Sequence, residues 1–530
     1  MTLAEPSPIN RQTLADLLHR TAARWPHKAG IVCGDVRWTW AQFDARVDRV
    51  AAGLHAAGVA RGDRVGVLAR NSHGFALLRF ALARLGAVLV PVNFMLNADE
   101  AGYILGHAGA RLLAVDNGLA ALGRAAAAKG TAITQFLWLP AEDGAPCPAD
   151  WPATDLNLDT LAATTAAPPQ PALDDNDLLQ IVYTSGTESL PKGAMLTHRA
   201  VISQYVSCIV EGGMDDADVW LHALPLYHCA QLDVFLGPAV YLGATCVITA
   251  TPTPERLLPL LEQLRISAFF APPTVWIALL RSPLFDAGKL GTLRKGYYGA
   301  SIMPVAVMRE LVERLPQMRL WNLYGQTEIA PLATVLKPED QLRKPGSAGR
   351  AVLNVETRVV DDAMRDVAPG EVGEIVHRSP HLMLGYFNDP ARTAAAFEGG
   401  WFHSGDLATI DDEGYITVVD RKKDMIKSGG ENVASREVEE ALYRLDGISE
   451  VAVIGLPHPR WIEAVSAIVV AKAGHPLTEA QVIAHCQSQL ASFKVPKGVM
   501  FVDALPKNPS GKLLKRELRQ RFEALFQAAG

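Results

Sequence analysis

The sequence predicts an α/β protein built from more than one domain. Three observations point there. Residues 64–92 read as strand, helix, strand. A run rich in hydroxyls and glycines directly follows an apolar stretch at residues 178–183. The texture of the chain also changes twice, near residues 352 and 420.

From the N-terminus, residues 11–57 pattern as helix, hairpin and helix. Ile31-Val32-Cys33 and Trp38-Thr39-Trp40 flank a Gly34-Asp35 turn. Arg64-Val65-Gly66-Val67-Leu68 and Val88-Leu89-Val90-Pro91-Val92 read as buried strands, with a helix over residues 74–85 between them. Strands joined through a helix pair in parallel. Leu112-Leu113-Ala114-Val115 and residues 244–248 continue that pattern. Residues 142–170, rich in Pro, Ala, Thr and Asp, read as an irregular surface connection. Short strands and turns over residues 352–378 suggest a smaller β-rich subdomain. Past the charged patch Asp420-Arg421-Lys422-Lys423-Asp424, the remaining segment has its own strand–helix texture. About a hundred residues suffice for a separate core. The expected domains are therefore residues 1–422 and 423–530.

Length and composition agree. A chain of 530 residues outgrows a single core, and 49% hydrophobic residues can fill large buried sheets. A net charge of −6 argues against a nucleic-acid binder or a polybasic membrane anchor. It leaves room for an anionic nucleotide, which needs only a few local cations. The six cysteines are scattered and lack zinc spacing, so they read as free thiols in a reducing compartment. No eighteen-residue apolar run occurs, and Arg79 and Arg84 interrupt the most apolar helical stretch. The expectation is a cytoplasmic protein with no integral membrane segment, by default an isologous homodimer.

The most informative stretch is Tyr183-Thr184-Ser185-Gly186-Thr187-Glu188-Ser189-Leu190-Pro191-Lys192-Gly193. Glycine lets backbone approach an anion, N–H groups and hydroxyls can ring a phosphate, and Lys192 adds a point charge. The order differs from Gly-x-x-x-x-Gly-Lys-Ser/Thr, which excludes a P-loop NTPase. Alone, the stretch fits a phosphate cradle or an ordinary surface turn.

Five further segments decide between these. They are Leu224-Pro225-Leu226-Tyr227-His228; Tyr298-Gly299-Ala300-Ser301; Asn322-Leu323-Tyr324-Gly325-Gln326-Thr327-Glu328; Trp401-Phe402-His403-Ser404-Gly405-Asp406 with Asp420-Arg421; and Pro506-Lys507-Asn508-Pro509-Ser510-Gly511-Lys512. In this order the set resembles the adenylate-forming superfamily: acyl-CoA synthetases, peptide-synthetase adenylation domains and luciferase. Fatty-acyl and aryl-CoA ligases are the nearest type, and the resemblance spans roughly residues 38–516.

The resemblance implies a large N-terminal domain of stacked mixed β-sheets with helices plus a β-rich subdomain, and a small mobile α+β C-terminal domain. It implies an ATP-dependent carboxylate–CoA ligase using ATP, Mg2+ and CoA. A carboxylate attacks the α-phosphorus of ATP and expels pyrophosphate; a CoA thiol then displaces AMP. Thr184, Ser185, Gly186, Thr187 and Lys192 would hold the pyrophosphate. Glu328 would bind Mg2+, which favours carboxylate and phosphate oxygens, and Thr327 would reach a phosphate oxygen. Tyr324 would stack on adenine, beside Asn322 and Gly325, and Gly299, Ala300 and Ser301 would line the base and acyl pocket. Asp406 would accept from the ribose hydroxyls, with Arg421 as a second contact. Lys512 would bridge the attacking carboxylate and the α-phosphate.

The resemblance also implies a hinge at Lys423. Rotation there would bring Lys427, Gly429 and Gly430 to the acyl-adenylate and admit the pantetheine arm. Tyr227 and His228 would gate an acyl pocket walled by Cys229, Ala230, Gln231, Pro272, Thr274, Trp276, Tyr298, Gly299 and Ala300. Amino-acid-activating members carry an aspartate where Cys229 stands, so an acid without an α-amine is expected. The wall is apolar, which favours a fatty or aromatic acid. Two departures stand out. Glu188-Ser189 replaces the family's Thr-Gly pair, placing a carboxylate beside the triphosphate. Pro457-His458-Pro459-Arg460 lacks the aspartate that often follows the first proline. A carrier-protein acceptor and a non-catalytic nucleotide- or acyl-binding homologue remain as alternatives.

Overall fold

The computed structural model describes residues 10–167, 169–184, 190–299, 303–422, 424–428, 431–472, 474–507 and 513–526. Among them the chain forms four β-sheets. A seven-stranded sheet is built on parallel pairing of Arg64–Leu68 with Val88–Pro91 and with Leu112–Val115. It continues through Leu178–Thr184 to an antiparallel edge strand, Lys192–Thr197. A nine-stranded sheet holds Ala29–Cys33, Val219–His222, Thr245–Ile248, Lys295–Gly299 and Arg319–Tyr324. The two expected continuations at residues 112–115 and 244–248 therefore fall in different sheets. Their apolar runs are alike, and run composition does not choose a sheet.

Helix His73–Leu85 shows why the two large sheets belong together. Ser72 caps it by accepting from the Phe75 N–H, and nearly every residue is buried. A helix apolar all round must be covered on all sides. Its residues share one core cluster with strand residues of both sheets, including Val65, Ile31 and Trp220.

Arg79 sits inside this apolar helix, 1% exposed. Its guanidinium donates to Gln180 at 2.7 Å, to Tyr205 at 3.2 Å and to the fully buried Asp233 at 2.5 Å. Gln180 donates to the other Asp233 oxygen at 2.7 Å. The ring of contacts ties helix to strand Leu178–Thr184 and to the π-helical turn Ala230–Leu236. Removing one partner strands a buried charge. Asp233→Ala is expected to lower unfolding stability by roughly 3–5 kcal/mol. Denaturant titration checks this, and an unchanged midpoint would contradict it.

Residues 356–421 supply a four-stranded antiparallel sheet, the β-rich subdomain expected from the sequence. From Ile426 onward a five-stranded sheet takes over. Along Ile448–His458, Val451 and Val453 face one cluster while Ala452, Ile454 and Leu456 face another. This is the two-residue alternation of a strand buried on both faces. Both clusters draw only on residues after 425. At the junction, Asp420 accepts from the Ser435 N–H at 2.7 Å and hydroxyl at 2.8 Å, and Arg436 donates to the Gly346 carbonyl at 2.8 Å.

Candidate active site

The segment Tyr324–Glu328 is the centre of the arrangement. It leaves strand Arg319–Tyr324 and enters the short helical turn Thr327–Ile329. Gly325 is dictated by crowding: a Cβ there would lie 1.8 Å from the Pro331 carbonyl oxygen. Gly299 is confined similarly, since its Cβ would meet the Leu323 carbonyl at 2.4 Å. Both glycines thus have packing reasons apart from any ligand.

Three contacts fan out from this segment. The first reaches the β-rich subdomain. Tyr324 donates its hydroxyl proton to Asp406 Oδ2 at 2.7 Å, and Gln326 Nε2 donates to the same oxygen at 3.0 Å. Asp406 and Arg421 are cross-strand partners, with the Arg421 Nε 3.5 Å from Asp406 Oδ1. Asp406 is 6% exposed, and Ser404 fixes it by accepting its backbone N–H at 3.1 Å. The Tyr324 phenol is pushed well above its ordinary range by burial and by the Asp406 carboxylate, so it stays a proton donor.

The second contact reaches the segment Tyr227-His228-Cys229. Thr327 Oγ1 lies 3.2 Å from Cys229 Sγ. Burial raises the Cys229 thiol to about 12, so it is a neutral thiol at physiological pH. His228 is half-buried and accepts the Ala230 N–H through Nδ1 at 3.1 Å. The Tyr227 ring packs edge-on against Phe94 at 5.3 Å.

The third reaches strand Lys192–Thr197. Glu328, 8% exposed, accepts at Oε1 from the Tyr386 hydroxyl at 2.8 Å. Lys192 Nζ donates to that same hydroxyl at 3.1 Å. Thr184 and Lys192 face each other across the hairpin that carries the loop.

The sequence-predicted residues thus divide. Thr184, Lys192, Tyr324, Gly325, Thr327, Glu328, Asp406, Arg421, His228 and Cys229 are connected by this geometry. Asn322 is committed elsewhere, donating to the Ser347 carbonyl at 2.9 Å. Tyr298, expected on the pocket wall, has its ring buried in a core cluster and its hydroxyl donates to Gln341 at 2.9 Å. Trp276 is likewise held in the core, its indole N–H on the Tyr297 carbonyl at 3.1 Å. Gln231 is tied to His222 at 2.8 Å and accepts the Leu224 N–H at 3.2 Å. Lys427 is exposed, on strand Ile426–Ser428. Ser185, Gly186, Thr187, Glu188, Ser189, Ala300, Ser301, Lys423, Gly429, Gly430 and Lys512 lie outside the described residues.

Two residues at the site were missed by sequence reasoning. Gln326, between Gly325 and Thr327, reaches Tyr324 at 2.6 Å as well as Asp406. Tyr386 stands in none of the quoted segments; its only sequence signal was a Gly-Tyr pair before Asn388-Asp389-Pro390.

A family model described as AMP-binding enzyme matches residues 18–387, and one described as AMP-binding enzyme C-terminal domain matches residues 437–512. The chain belongs to the AMP-binding enzyme family. This AMP-binding enzyme is 36% identical over 514 residues to a feruloyl-CoA synthase of Amycolatopsis, covering 97% of this chain and 100% of that one. It is 36% identical to a long-chain-fatty-acid–CoA ligase of Mycobacterium tuberculosis, over 92% of this chain and 94% of that one. Among solved structures, ATP-bound MatB from Rhodopseudomonas palustris superposes with a TM-score of 0.87 at 30% identity, covering 97% and 99% of the two chains. The mixed-sheet fold with a small C-terminal unit is the fold of these enzymes. No helix among the described residues is long and apolar enough to cross a membrane.

Proposed function

We infer that this AMP-binding enzyme joins an apolar carboxylic acid to CoA at the expense of ATP, in two half-reactions. The observation that carries the reading is the Tyr324–Glu328 segment. It touches Asp406, Cys229 and, through Tyr386, Lys192. Ribose, acyl and phosphate groups of an acyl-adenylate need those three neighbourhoods side by side.

In the first half-reaction, Asp406 Oδ1 accepts from the ribose hydroxyls while Tyr324 and Gln326 occupy Oδ2. Lys192 draws the departing pyrophosphate, and Thr327 reaches a phosphate oxygen. Lys512 neutralises charge between the acid and the α-phosphate. The residues suit Mg2+ as well. Only Oε1 of Glu328 is engaged among the described residues, and none of those residues forms an acidic, His or Cys group of three or more around a metal. A single carboxylate completed by phosphates and water is a common Mg2+ arrangement. When bound, the ion supplies charge neutralisation to the phosphates.

In the second half-reaction, rotation about Lys423 releases Lys512 and presents Lys427, Gly429 and Gly430 to the thiol arm. The domains on either side are residues 1–422 and 423–530. Such a rotation must break the Asp420–Ser435, Arg436–Gly346 and Arg436–Val418 contacts. A fatty or aromatic acid suits the neutral Cys229 thiol and the Tyr227–Phe94 wall, and the feruloyl and long-chain-fatty-acid relatives support that class. Six free cysteines support a cytoplasmic enzyme. A homodimer is the working assumption for solution studies.

The test is a screen of acids graded in length and aromaticity, with and without CoA, read by pyrophosphate and AMP release. The expected result is acid-dependent pyrophosphate release, with AMP turnover only when free CoA is present. Turnover with a carrier protein bearing a free pantetheine thiol, and none with free CoA, would favour the carrier reading; silence with every acid would favour a non-catalytic binder. Asp406→Ala is expected to raise the KM for ATP about tenfold, the loss of one charge-assisted hydrogen bond. An unchanged KM for ATP would remove Asp406 from the ribose site.

A further inference from the structure

Tyr386 reaches the site through a piece of backbone that behaves as an added strand. Leu384 N–H donates to the Met195 carbonyl at 2.9 Å, and Met195 N–H donates to the Gly385 carbonyl at 3.0 Å. Phe387 N–H then donates to the Gly193 carbonyl at 2.8 Å. Residues 384–387 thereby lie along strand Lys192–Thr197, the strand that begins with the loop lysine. One residue earlier, the Met383 N–H donates to the Glu328 carbonyl at 2.8 Å. Thr393 Oγ1 accepts the Tyr386 N–H at 2.9 Å. The tyrosine is pinned from both sides before its side chain is considered.

That side chain is 6% exposed. Its ring lies 4.4 Å from the Lys192 ammonium, and its hydroxyl accepts from that ammonium while donating to Glu328. A phenol has one proton, so the direction of the relay is set: Lys192 to Tyr386 to Glu328. Phenylalanine would fill the same space and keep the ring under the lysine; what the hydroxyl adds, among the described residues, is the link between those two charges.

We propose that Tyr386 is the positioning residue of the nucleotide site, holding Lys192 toward the triphosphate and Glu328 toward its magnesium ion. The hydroxyl keeps two opposite charges at a fixed separation. Without it, the lysine and the glutamate can close into a direct ion pair, which satisfies each with the other. A nucleotide–metal complex must then break that pair before it binds. The proposal rests on the reading of Lys192 as phosphate contact and Glu328 as metal ligand.

The test is Tyr386→Phe, with Mg-ATP binding measured by calorimetry in the absence of acid, beside steady-state kinetics. The expected result is an approximately tenfold weaker Mg-ATP isotherm and a matching rise in the KM for ATP. The KM for the acid should stay within about twofold. KM does not depend on how much enzyme is folded, so the split reads out even in a less stable variant. In a Glu328→Gln background, adding Tyr386→Phe should cost markedly less than it does alone, since contacting residues are not additive. Superimposable Mg-ATP isotherms for wild type and Tyr386→Phe, or full additivity in the double variant, would overturn the proposal. A failure of the underlying reading looks different: Glu328→Gln by itself would leave the magnesium dependence of ATP binding unaltered, and the proposal would fall with it.

Discussion

Lys512→Ala is expected to slow acyl-adenylate formation by on the order of a hundredfold or more, while thioester formation from a supplied acyl-adenylate stays near the wild-type rate. The asymmetry follows from charge. In the first step a carboxylate approaches a phosphate, and negative charge spreads over both groups. An ammonium placed between them stabilises that state more than the separated reactants, which lowers the barrier. In the second step a thiol attacks an acyl-adenylate already made, and the leaving group is AMP. On the proposed reading the lysine has no matching task there, because rotation about Lys423 would have carried it away. Pyrophosphate release reports the first step, and thioester yield from synthetic acyl-adenylate reports the second. Equal loss of both would break the division of labour between the two domain positions.

Glu328→Gln should lower pyrophosphate release by about a hundredfold, at unchanged fold stability. The substitution is close to isosteric. Its side-chain carbonyl can still accept from Tyr386, now 2.8 Å from Oε1, so local packing survives. What disappears is the negative charge on a nearly buried carboxylate. A metal ion that draws one protein oxygen loses its anionic anchor. Stopped-flow pyrophosphate release across a magnesium titration checks this. A variant with wild-type rate and wild-type magnesium dependence would show that Glu328 is a structural acid.

Much of the fold is legible in the sequence alone. The strand–helix–strand unit at residues 64–92 forms as its apolar runs require, because short buried strands flanking an apolar helix have few other solutions. The β-rich subdomain likewise followed from turn chemistry and short alternating runs. Which sheet each strand joins was not legible, as residues 112–115 and 245–248 show. Partner choice is tertiary. Arg79 is the sharper case. In sequence it reads as an interruption of an apolar stretch, yet its partner Asp233 lies 154 residues away. The irregular connection over residues 142–170 hides an anchor of the same kind: Glu142 accepts from Thr249, Ala250 and Arg256.

At the site the pattern repeats. Tyr324, Thr327, Glu328, Asp406 and Lys192 were legible as motif residues because each sits in a short, composition-biased segment. Tyr386 was not, since its role depends on backbone pairing with a strand 194 residues away in the hydrogen bond it receives from Lys192. Tyr298 shows the converse: membership of a motif does not say where a ring packs. Its neighbour Gly299 belongs to a motif, but side chains alternate along a strand, and the Tyr298 ring turns into the core.

Ribose, acyl group and phosphates are expected to meet at the Tyr324–Glu328 segment. A crystal structure of the enzyme with its acyl-adenylate tests that claim most directly. The expected result places Asp406 Oδ1 within hydrogen-bond distance of a ribose hydroxyl, and the acyl carbonyl beside Cys229 and Thr327. An adenylate bound remote from both Asp406 and Thr327 would contradict it.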